Sequence, residues 1–234
     1  MVIIQEGHLK SQPLRADAVA TRARLVAAAE RLFAERGIDS VSSSQINRTA
    51  GQRNRSALQY HFGSRAGLIH AIFDKHTAGI ERRRHAMIDE IEAKATLGLR
   101  PLVQALVAPV AEKLDDPDGG VAFVRLNAQL IGHPGFPLLT LAAERVNRDA
   151  DRLQRLTARA CPQLPQRLWV PRWLLVIGLL FHGIADYARL AENREGALAI
   201  PSRDVFVNNL VDAIVAVLEA PVSEATLAVL DTEP

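Results

Sequence analysis

Apolar residues recur at helical spacing through most of the chain, and this pattern predicts an all-α protein. The first clear helix holds an apolar stripe from Leu25 to Phe33, whose members lie one or three residues apart and share one face. Thr21 is its predicted N-cap, because a hydroxyl there can accept a free backbone N–H. Gly37 is placed to end the helix, since glycine readily takes the left-handed conformation.

A second, shorter helix is predicted to begin after Ser42. Ser42 and Gln45 have the spacing of a capping box, in which the serine hydroxyl accepts a backbone hydrogen while the glutamine side chain reaches back to the helix start. Ile46 and Ala50 are its predicted inward residues, and Ala50 is small enough to let the next helix cross closely. Gly51 then permits a tight turn, because positive φ carries no steric cost for glycine.

The third predicted helix is unusually polar for a packed element. We expect it to begin at Asn54, as N-cap, and to be held to the core by Leu58 and Phe62, which are four residues apart. Ser64 is the predicted cap of a fourth helix. The free amides at that helix start, together with Arg65, are predicted to bind a phosphate.

The outward face of the third helix carries residue types that suit DNA. Arginine can bind guanine through two hydrogen bonds, glutamine can bind adenine, and serine and tyrosine suit phosphates. No acidic residue occurs between Asp39 and Asp74 to repel a polyanion. The alternative is a structural three-helix core with a solvated third helix, but the few apolar residues and the lack of acids argue against it. The predicted outward residues are Arg55, Ser56, Gln59 and Tyr60.

The net charge of +2 is unevenly distributed along the chain. Residues 1–76 hold 11 Lys and Arg against 6 Asp and Glu, whereas residues 77–234 hold 17 against 20. A basic head before a slightly acidic body favours a polyanionic partner for the head alone. The single cysteine, Cys161, excludes a disulfide within the chain. That composition fits a cytoplasmic protein.

The rest of the chain is predicted to be a helical body. The fourth helix continues to about Lys94, and the acidic run 115–120 is predicted to be a turn because it lacks the ligand spacing of a calcium loop. The strongest apolar run, 173–181, is too short to span a membrane and is predicted to be a buried helix. The further predicted helices cover 101–114, 120–132, 137–161, 165 or 171–193, and 202–219.

The last predicted helix is apolar around most of its circumference. One stripe contains Phe206, Leu210 and Ile214, and another contains Val207 and Val211. A terminal helix of a small monomer rarely needs two such stripes. We therefore predict that the last two long helices pair with a second copy of the chain in a four-helix bundle. The alternative is a helix buried centrally within its own chain.

Three segments within residues 21–73, LVAAAERLFAERGIDSV, QINRTAG and LQYHFGSRAGLI, resemble the TetR family of transcriptional regulators. The resemblance implies a homodimer with N-terminal helix-turn-helix heads, a helical C-terminal body around a small-molecule pocket, and in most members repression that ends when the ligand binds. It also implies that Tyr60, His61 and Arg65 contact the DNA backbone. The chain departs from the family pattern at 52–54, where about one extra residue predicts that Arg53 is directed toward the DNA.

These observations predict a flexible arm over 1–18, a helix-turn-helix DNA-binding domain over 19–66, a ligand-binding and dimerisation domain over 67–221 and a tail over 222–234. We expect a cytoplasmic, sequence-specific DNA-binding regulator with no membrane partner. It would be a repressor, released from a palindromic operator in double-stranded DNA by a small apolar or amphipathic ligand. The predicted DNA-binding residues are Thr21, Ser42, Arg53, Asn54, Arg55, Ser56, Gln59, Tyr60, His61 and Arg65.

Scattered polar and aromatic residues on the apolar body helices are candidates for the effector pocket, since such pockets combine an apolar wall with a few polar anchors. For each residue taken alone, a satisfied core or interface residue is the competing interpretation. The candidates are His85, Phe123, Asn127, Phe136, Trp173, Phe181 and His182. No cofactor or metal is expected, because the one cysteine is isolated and the histidines do not cluster at ligand spacings.

Two other classes of function stay open. One is a helical ligand-binding protein or enzyme whose head has lost DNA binding. No G-x-S-x-G, P-loop, H-E-x-x-H or G-x-G-x-x-G motif is present, so an enzyme is not predicted. The other is a non-specific architectural DNA protein, against which the large, apolar and slightly acidic body argues.

Overall fold

The computed structural model describes residues 11–54, 56–94, 98–135, 148–192, 200–230 and 232. All regular elements in these ranges are helical, and the chain divides into two compact units, Met1–Lys75 and His76–Pro234. The domain boundary predicted from the sequence, after residue 66, lies earlier in the chain than the division after Lys75. The helices are α1 (Ser11–Arg36), α2 (Ser43–Thr49), α3 (Ala57–Phe62), α4 (Arg65–Ala93), α5 (Leu99–Ala111), α6 (Gly120–Leu130), α7 (Arg148–Ala160), α8 (Gln166–Glu192), α9 (Arg203–Glu219) and α10 (Glu224–Leu230).

The apolar stripe of α1 lies in the core of the first unit. Leu25 and Phe33 are wholly buried, as the spacing predicts. The helix begins at Ser11, however, well before the predicted start. Thr21 therefore lies inside the helix, where its Oγ1 accepts a hydrogen bond from Arg24 Nη2 at 3.0 Å instead of capping the first turn. The predicted flexible arm is thus helical in its second part.

The start of α2 follows the prediction, and its capping box is complete. The Ser42 backbone N–H donates to Gln45 Oε1 at 2.7 Å, and the Gln45 backbone N–H donates to Ser42 Oγ at 3.3 Å. Ile46 and Ala50 are buried, and α2 packs on both α1 and α3. Gly51 has a φ of +69°, which fits the predicted tight turn.

The start of α3 differs from the prediction, since the helix begins at Ala57. Asn54 does not cap the first turn of the helix. Its Oδ1 accepts a hydrogen bond from the Ser56 backbone N–H at 2.9 Å, an Asx-turn that leads the chain toward α3. Leu58 is buried as predicted, but Phe62 is only half-buried. The core anchor of α3 is therefore Ala57 with Leu58.

The second unit is a set of mutually packed helices. Its α5 packs against α7 and α9, and its α8 packs against α6 and α9. Aliphatic side chains of α5 and α6 fill the core; Leu102 and Leu126 are wholly buried. The predicted turn after α5 is confirmed, because a 3₁₀ turn over Glu112–Asp115 precedes Gly119 at a φ of +84°. Of the predicted helix over 137–161, the structure describes α7 from Arg148 onward, and residues 136–147 lie outside the described residues.

Helix α8 is not the buried helix that the sequence predicted. Val176, Leu180 and Ile184 are buried on one side. Large apolar side chains are exposed elsewhere on the helix, and we call them the α8 apolar face: Val170, Leu174, Leu175, Leu179 and Leu190. By length and composition α8 is apolar enough to cross a membrane, which is weak evidence because a core helix of a soluble protein meets the same criterion.

Candidate nucleic-acid interface

The first unit presents an exposed polar surface formed by α3 and the turn before it. The Tyr60 side chain is 83% exposed. Its ring and the His61 ring form an edge-to-face contact, with 5.1 Å between the ring centroids. A large aromatic side chain left in water is more informative than an exposed polar one, since burial would stabilise the fold. We call the exposed residues of this surface the polar face: Arg53, Asn54, Ser56, Gln59 and Tyr60.

The polar face and its surroundings are positively charged. Arg48 on α2 and Arg53 in the turn are exposed, and neither forms an ion pair within the described residues. The chain has no acid between Asp39 and Asp74. Arginines without acidic neighbours create a potential that attracts phosphate. Arg55 lies outside the described residues, so its base contact stays a prediction.

The turn between α2 and α3 is held by its own hydrogen bonds. The Gln52 backbone N–H donates to the Asn47 carbonyl oxygen at 2.9 Å, and the Ala57 backbone N–H donates to the Asn54 carbonyl oxygen at 3.2 Å. Arg53 stands exposed between these two bonded segments. Both ends of the turn are therefore held by main-chain hydrogen bonds, and Arg53 is exposed between them.

Three residues predicted to bind DNA have contacts within the first unit. Ser42 caps α2 and Thr21 bonds within α1. His61 is half-buried, and its ring centroid lies 5.1 Å from that of Tyr60 and 6.2 Å from that of Phe62. None of these contacts tests binding to DNA, so a role for these three residues at the DNA stays a prediction.

The side chain of Arg65 bonds the main chain of the first unit, and its phosphate contact stays a prediction. Its Nη2 donates to the Val41 carbonyl oxygen at 2.6 Å, and its Nη1 donates to the Ile38 carbonyl oxygen. The guanidinium carbon also lies 5.7 Å from the centroid of the buried Phe33 ring, within cation–π range. Loss of this side chain would leave both carbonyl oxygens without their arginine donor, at about 1–3 kcal/mol for each one that water does not reach.

Only two residues separate α3 from α4. Gly63, at a φ of +69°, ends α3. Ser64 Oγ accepts a hydrogen bond from the Gly67 backbone N–H at 3.0 Å, which confirms the predicted cap of α4. The position of α3 therefore depends directly on where the first turn of α4 is held.

One contribution to this surface was missed in the sequence. The guanidinium carbon of Arg22 lies 5.1 Å from the centroid of the Phe62 ring, so a positive charge of α1 stands beside the end of α3. Arg22 lies off the apolar stripe of α1, which indicates an outward side chain. That signal does not reveal the aromatic partner, because no local spacing connects two residues so far apart in the sequence.

Two of the predicted effector residues are core residues. Phe123 is buried and stacks on His76, with 4.5 Å between the ring centroids. Asn127 is buried, and its Nδ2 donates to the Phe123 carbonyl oxygen at 2.8 Å. These contacts agree with the competing interpretation, in which each residue is satisfied within the core.

The other predicted effector residues are dispersed. His85 Nε2 lies 3.9 Å from Glu81 Oε2, and Trp173 stacks on Trp169 with 5.8 Å between the centroids. Phe181 is half-buried and His182 is exposed, while Phe136 lies outside the described residues. Neither of two cavities found in the second unit is lined by these residues, and their grouping in one pocket stays a prediction.

An open groove of about 570 Å³ lies elsewhere in the second unit. Two of the carboxylates that line it are paired, Asp115 with Arg203 and Glu192 with Arg125. Tyr187 lines the groove and stacks on Phe206, with 4.4 Å between the centroids. Within the described ranges, no three His, Cys, Asp or Glu side chains are grouped so that they could hold a metal ion.

Two family models match this sequence. Residues 25–72 match the model described as bacterial regulatory proteins, tetR family, a range that contains α2, α3 and parts of α1 and α4. Residues 104–216 match the model described as tetracyclin repressor-like, C-terminal domain, which covers most of the helical body. The two ranges together contain well over half of the chain.

Two solved structures also match this chain. A protein from Rhodococcus sp. assigned to the TetR family of transcriptional regulators is 20% identical, with a TM-score of 0.43 over 86% of this chain and 99% of that one. A TetR-family transcriptional regulator from Pectobacterium atrosepticum is 22% identical, with a TM-score of 0.33 over 87% of this chain and 95% of that one. No curated protein matches the sequence.

Proposed function

Because the chain belongs to the TetR family of bacterial regulatory proteins and is a DNA-binding transcriptional regulator, we propose that it is a homodimeric repressor. It binds a palindromic operator and leaves that operator when a small molecule binds. Regulators of this family in general bind DNA, dimerise, bind small-molecule effectors, and are soluble and cytoplasmic.

The observation that carries the proposal is the exposed, acid-free polar face. Gln59 is exposed on α3, where it can reach a base edge in the major groove. Tyr60 and Arg53 are exposed beside it and suit phosphate oxygens. This six-residue helix buries only Ala57 and Leu58, and the exposure of these groups together does not contribute to the stability of the domain.

A selection experiment tests this assignment. The full-length protein is incubated with a pool of random-sequence duplexes at moderate salt, and the bound duplexes are amplified and sequenced. We expect an inverted repeat whose half-sites lie one helical turn apart or a multiple of it, roughly 10–10.5 base pairs per turn. A pool in which no sequence is enriched would contradict sequence-specific binding and favour a protein that coats DNA or does not bind it.

The α8 apolar face supports the homodimer. Leu175 is 60% exposed and Val170 is 61% exposed, although both are large apolar side chains on a helix whose other side is buried. An apolar surface of this kind on a soluble regulator is typically covered by a partner. We propose that α8, with α9 packed beside it, meets the same pair of a second copy in a four-helix bundle.

The apolar interior of the second unit supports an apolar or amphipathic effector. The buried polar side chains on α4, α6 and α7 are few, among them Arg84, Asn127 and Thr157. A ligand that binds the folded unit raises its melting temperature by mass action. A thermal-shift screen of such compounds, followed by DNA-release measurements on the hits, tests this. Hits that leave the DNA complex intact would contradict release by the effector.

A further inference from the structure

The first turn of α4 contacts the segment that precedes α2. Arg65 donates one hydrogen bond to Ile38 and one to Val41, both through main-chain carbonyl oxygens of the α1–α2 turn. The side chains of Ile38 and Val41 are themselves buried in the first unit. A single side chain at the start of α4 therefore fixes two points of this turn.

This turn sets where α2 begins. Val41 immediately precedes Ser42, whose side chain caps α2. A shift of the Val41 carbonyl would therefore move the capping box and, with it, the whole seven-residue helix. The link from Arg65 to α2 runs through one hydrogen bond and one peptide unit.

The same residue also fixes the end of α3. Arg65 is the first residue of α4, and only Gly63 and Ser64 stand between it and Phe62 at the end of α3. The helices α2 and α3 are short, with seven and six residues, and each has two buried side chains, so support at their ends contributes to holding their orientation. Arg65 contacts the turn before α2 and also begins the helix that directly follows α3.

The stacking on Phe33 limits the freedom of the guanidinium. The ring is wholly buried and belongs to the apolar stripe of α1. The guanidinium carbon thus lies over an aromatic ring while two of its nitrogens donate to carbonyl oxygens. Arginine satisfies this geometry because its donors form a fixed fork, whereas lysine offers a single ammonium on a flexible stem.

We propose that Arg65 is a positioning residue for DNA recognition. It holds the α1–α2 turn against the start of α4, and in this way it fixes α2 and α3 relative to each other, but it does not itself bind a phosphate. The inference rests on the proposed sequence-specific DNA binding, and it assigns to Arg65 a role different from the backbone contact that the family resemblance implies.

The experiment compares Arg65→Gln, Arg65→Lys and a matched control, Arg53→Gln, which removes an exposed arginine of the polar face. Each folded variant is titrated, at several salt concentrations, with the duplex that the wild-type protein selects and with an unrelated duplex. A lost phosphate contact lowers the slope of log K against log salt by about one. A lost support changes the affinity for the selected duplex without changing that slope.

For Arg65→Gln we expect at least a tenfold loss of affinity for the selected duplex, a smaller loss for the unrelated duplex, and the wild-type slope. For Arg53→Gln the slope of log K against log salt should instead be smaller on both duplexes. Arg65→Lys should recover only part of the lost affinity. Should Arg65→Gln fail to fold, Arg65→Lys carries the test, since a phosphate contact predicts wild-type affinity for it and a positioning role predicts a loss.

Two results would overturn the inference while leaving the proposed function intact. One is a reduced slope for Arg65→Gln with full rescue by Arg65→Lys, which would make Arg65 a phosphate ligand. The other is wild-type affinity and discrimination in folded Arg65→Gln, which would make it a residue of stability alone. A wild-type protein that selects no duplex would overturn both the proposed function and this inference, and the two failures are therefore distinguishable.

Discussion

The α-carbon of Gly67 lies against the carbonyl group of Phe62, so closely that a Cβ on residue 67 would stand 2.1 Å from the Phe62 oxygen. The oxygen belongs to the backbone, and it cannot swing aside as the end of a flexible side chain could. Glycine at position 67 is therefore what allows α3 to end directly on the first turn of α4.

Substitution of Gly67 by alanine should displace the end of α3. We expect Gly67→Ala to destabilise the first unit by about 1–3 kcal/mol, as overpacking of a filled site does, and to weaken DNA binding in the folded fraction. Chemical denaturation and DNA titration measure the two effects. Gly79→Ala in the same helix is the matched control, because the nearest atoms to its Cβ are 4.0 Å away. That variant should be neutral or up to ~1 kcal/mol more stable, and equal effects at both sites would contradict the packing argument.

Removal of the α2 cap should have a measurable effect on stability. Ser42→Ala deletes the hydroxyl that accepts the Gln45 backbone hydrogen, and the expected loss is about 1 kcal/mol of the free energy of unfolding. Ser43→Ala, at the neighbouring exposed position, should change it by no more than about 0.5 kcal/mol. Denaturant titration of the two variants decides the matter, and a pair of indistinguishable curves would mean that the cap is not needed.

Substitutions of the exposed residues of α3 should change DNA binding without changing the stability of the fold. Tyr60→Phe removes only a hydroxyl in solvent, so the melting temperature should stay unchanged, while affinity for all duplexes should fall about fivefold if the hydroxyl bonds a phosphate. Gln59→Ala should instead change which base is preferred at one position of each half-site. Titrations with single-base variants of the selected duplex measure both effects. An unchanged preference profile for Gln59→Ala would remove this residue from the base contacts.

Much of the first unit could be predicted because its determinants are local. The capping box of α2 and the apolar stripe of α1 each depend on residues three or four positions apart, and both are found in the structure. The early start of α1 was missed because residues 11–20 carry no apolar stripe, although Pro13 in the first turn is compatible with a helix.

The role of Arg65 could not be read from local spacing. Its two carbonyl partners lie 24 and 27 positions earlier in the chain, and no periodicity connects them. The effector residues could not be settled from the sequence for a similar reason, since a polar residue on an apolar helix is equally consistent with a cavity and with a satisfied core. Asn127 illustrates the second outcome, because it bonds the carbonyl oxygen four residues before it.

The homodimer should depend on the α8 apolar face. Leu175→Glu places a charge among exposed apolar side chains. We expect the variant to be a monomer of 25.6 kDa and the wild type to have twice that mass. Leu227→Glu is the matched control, since Leu227 is an exposed leucine on α10 and not on α8. Light scattering coupled to gel filtration measures the masses. A dimeric Leu175→Glu variant with an unchanged dissociation constant would place the interface elsewhere.

Stability in acid should depend on Asp116. The hydrogen bond from Lys113, at 2.9 Å, holds the pKa of the Asp116 carboxyl below its usual value, despite partial burial that acts in the opposite direction. A lowered pKa in the folded state stabilises the fold above the unfolded-state pKa, and that contribution is lost as the pH falls through the folded-state pKa. Asp116→Asn should therefore be less stable than the wild type near pH 7, and the difference should shrink below about pH 4. Melting temperatures across this range measure the effect, and a constant difference would contradict it.

The most direct test of the proposed function is the binding of the wild-type protein to its selected duplex at increasing salt, with the stoichiometry measured at saturation. We expect two chains per inverted repeat, a short protected site, and a log K that falls linearly with log salt because the exposed Arg48 and Arg53 displace counterions from phosphates. Affinity that does not respond to salt, or diffuse protection with no fixed number of chains per duplex, would contradict it.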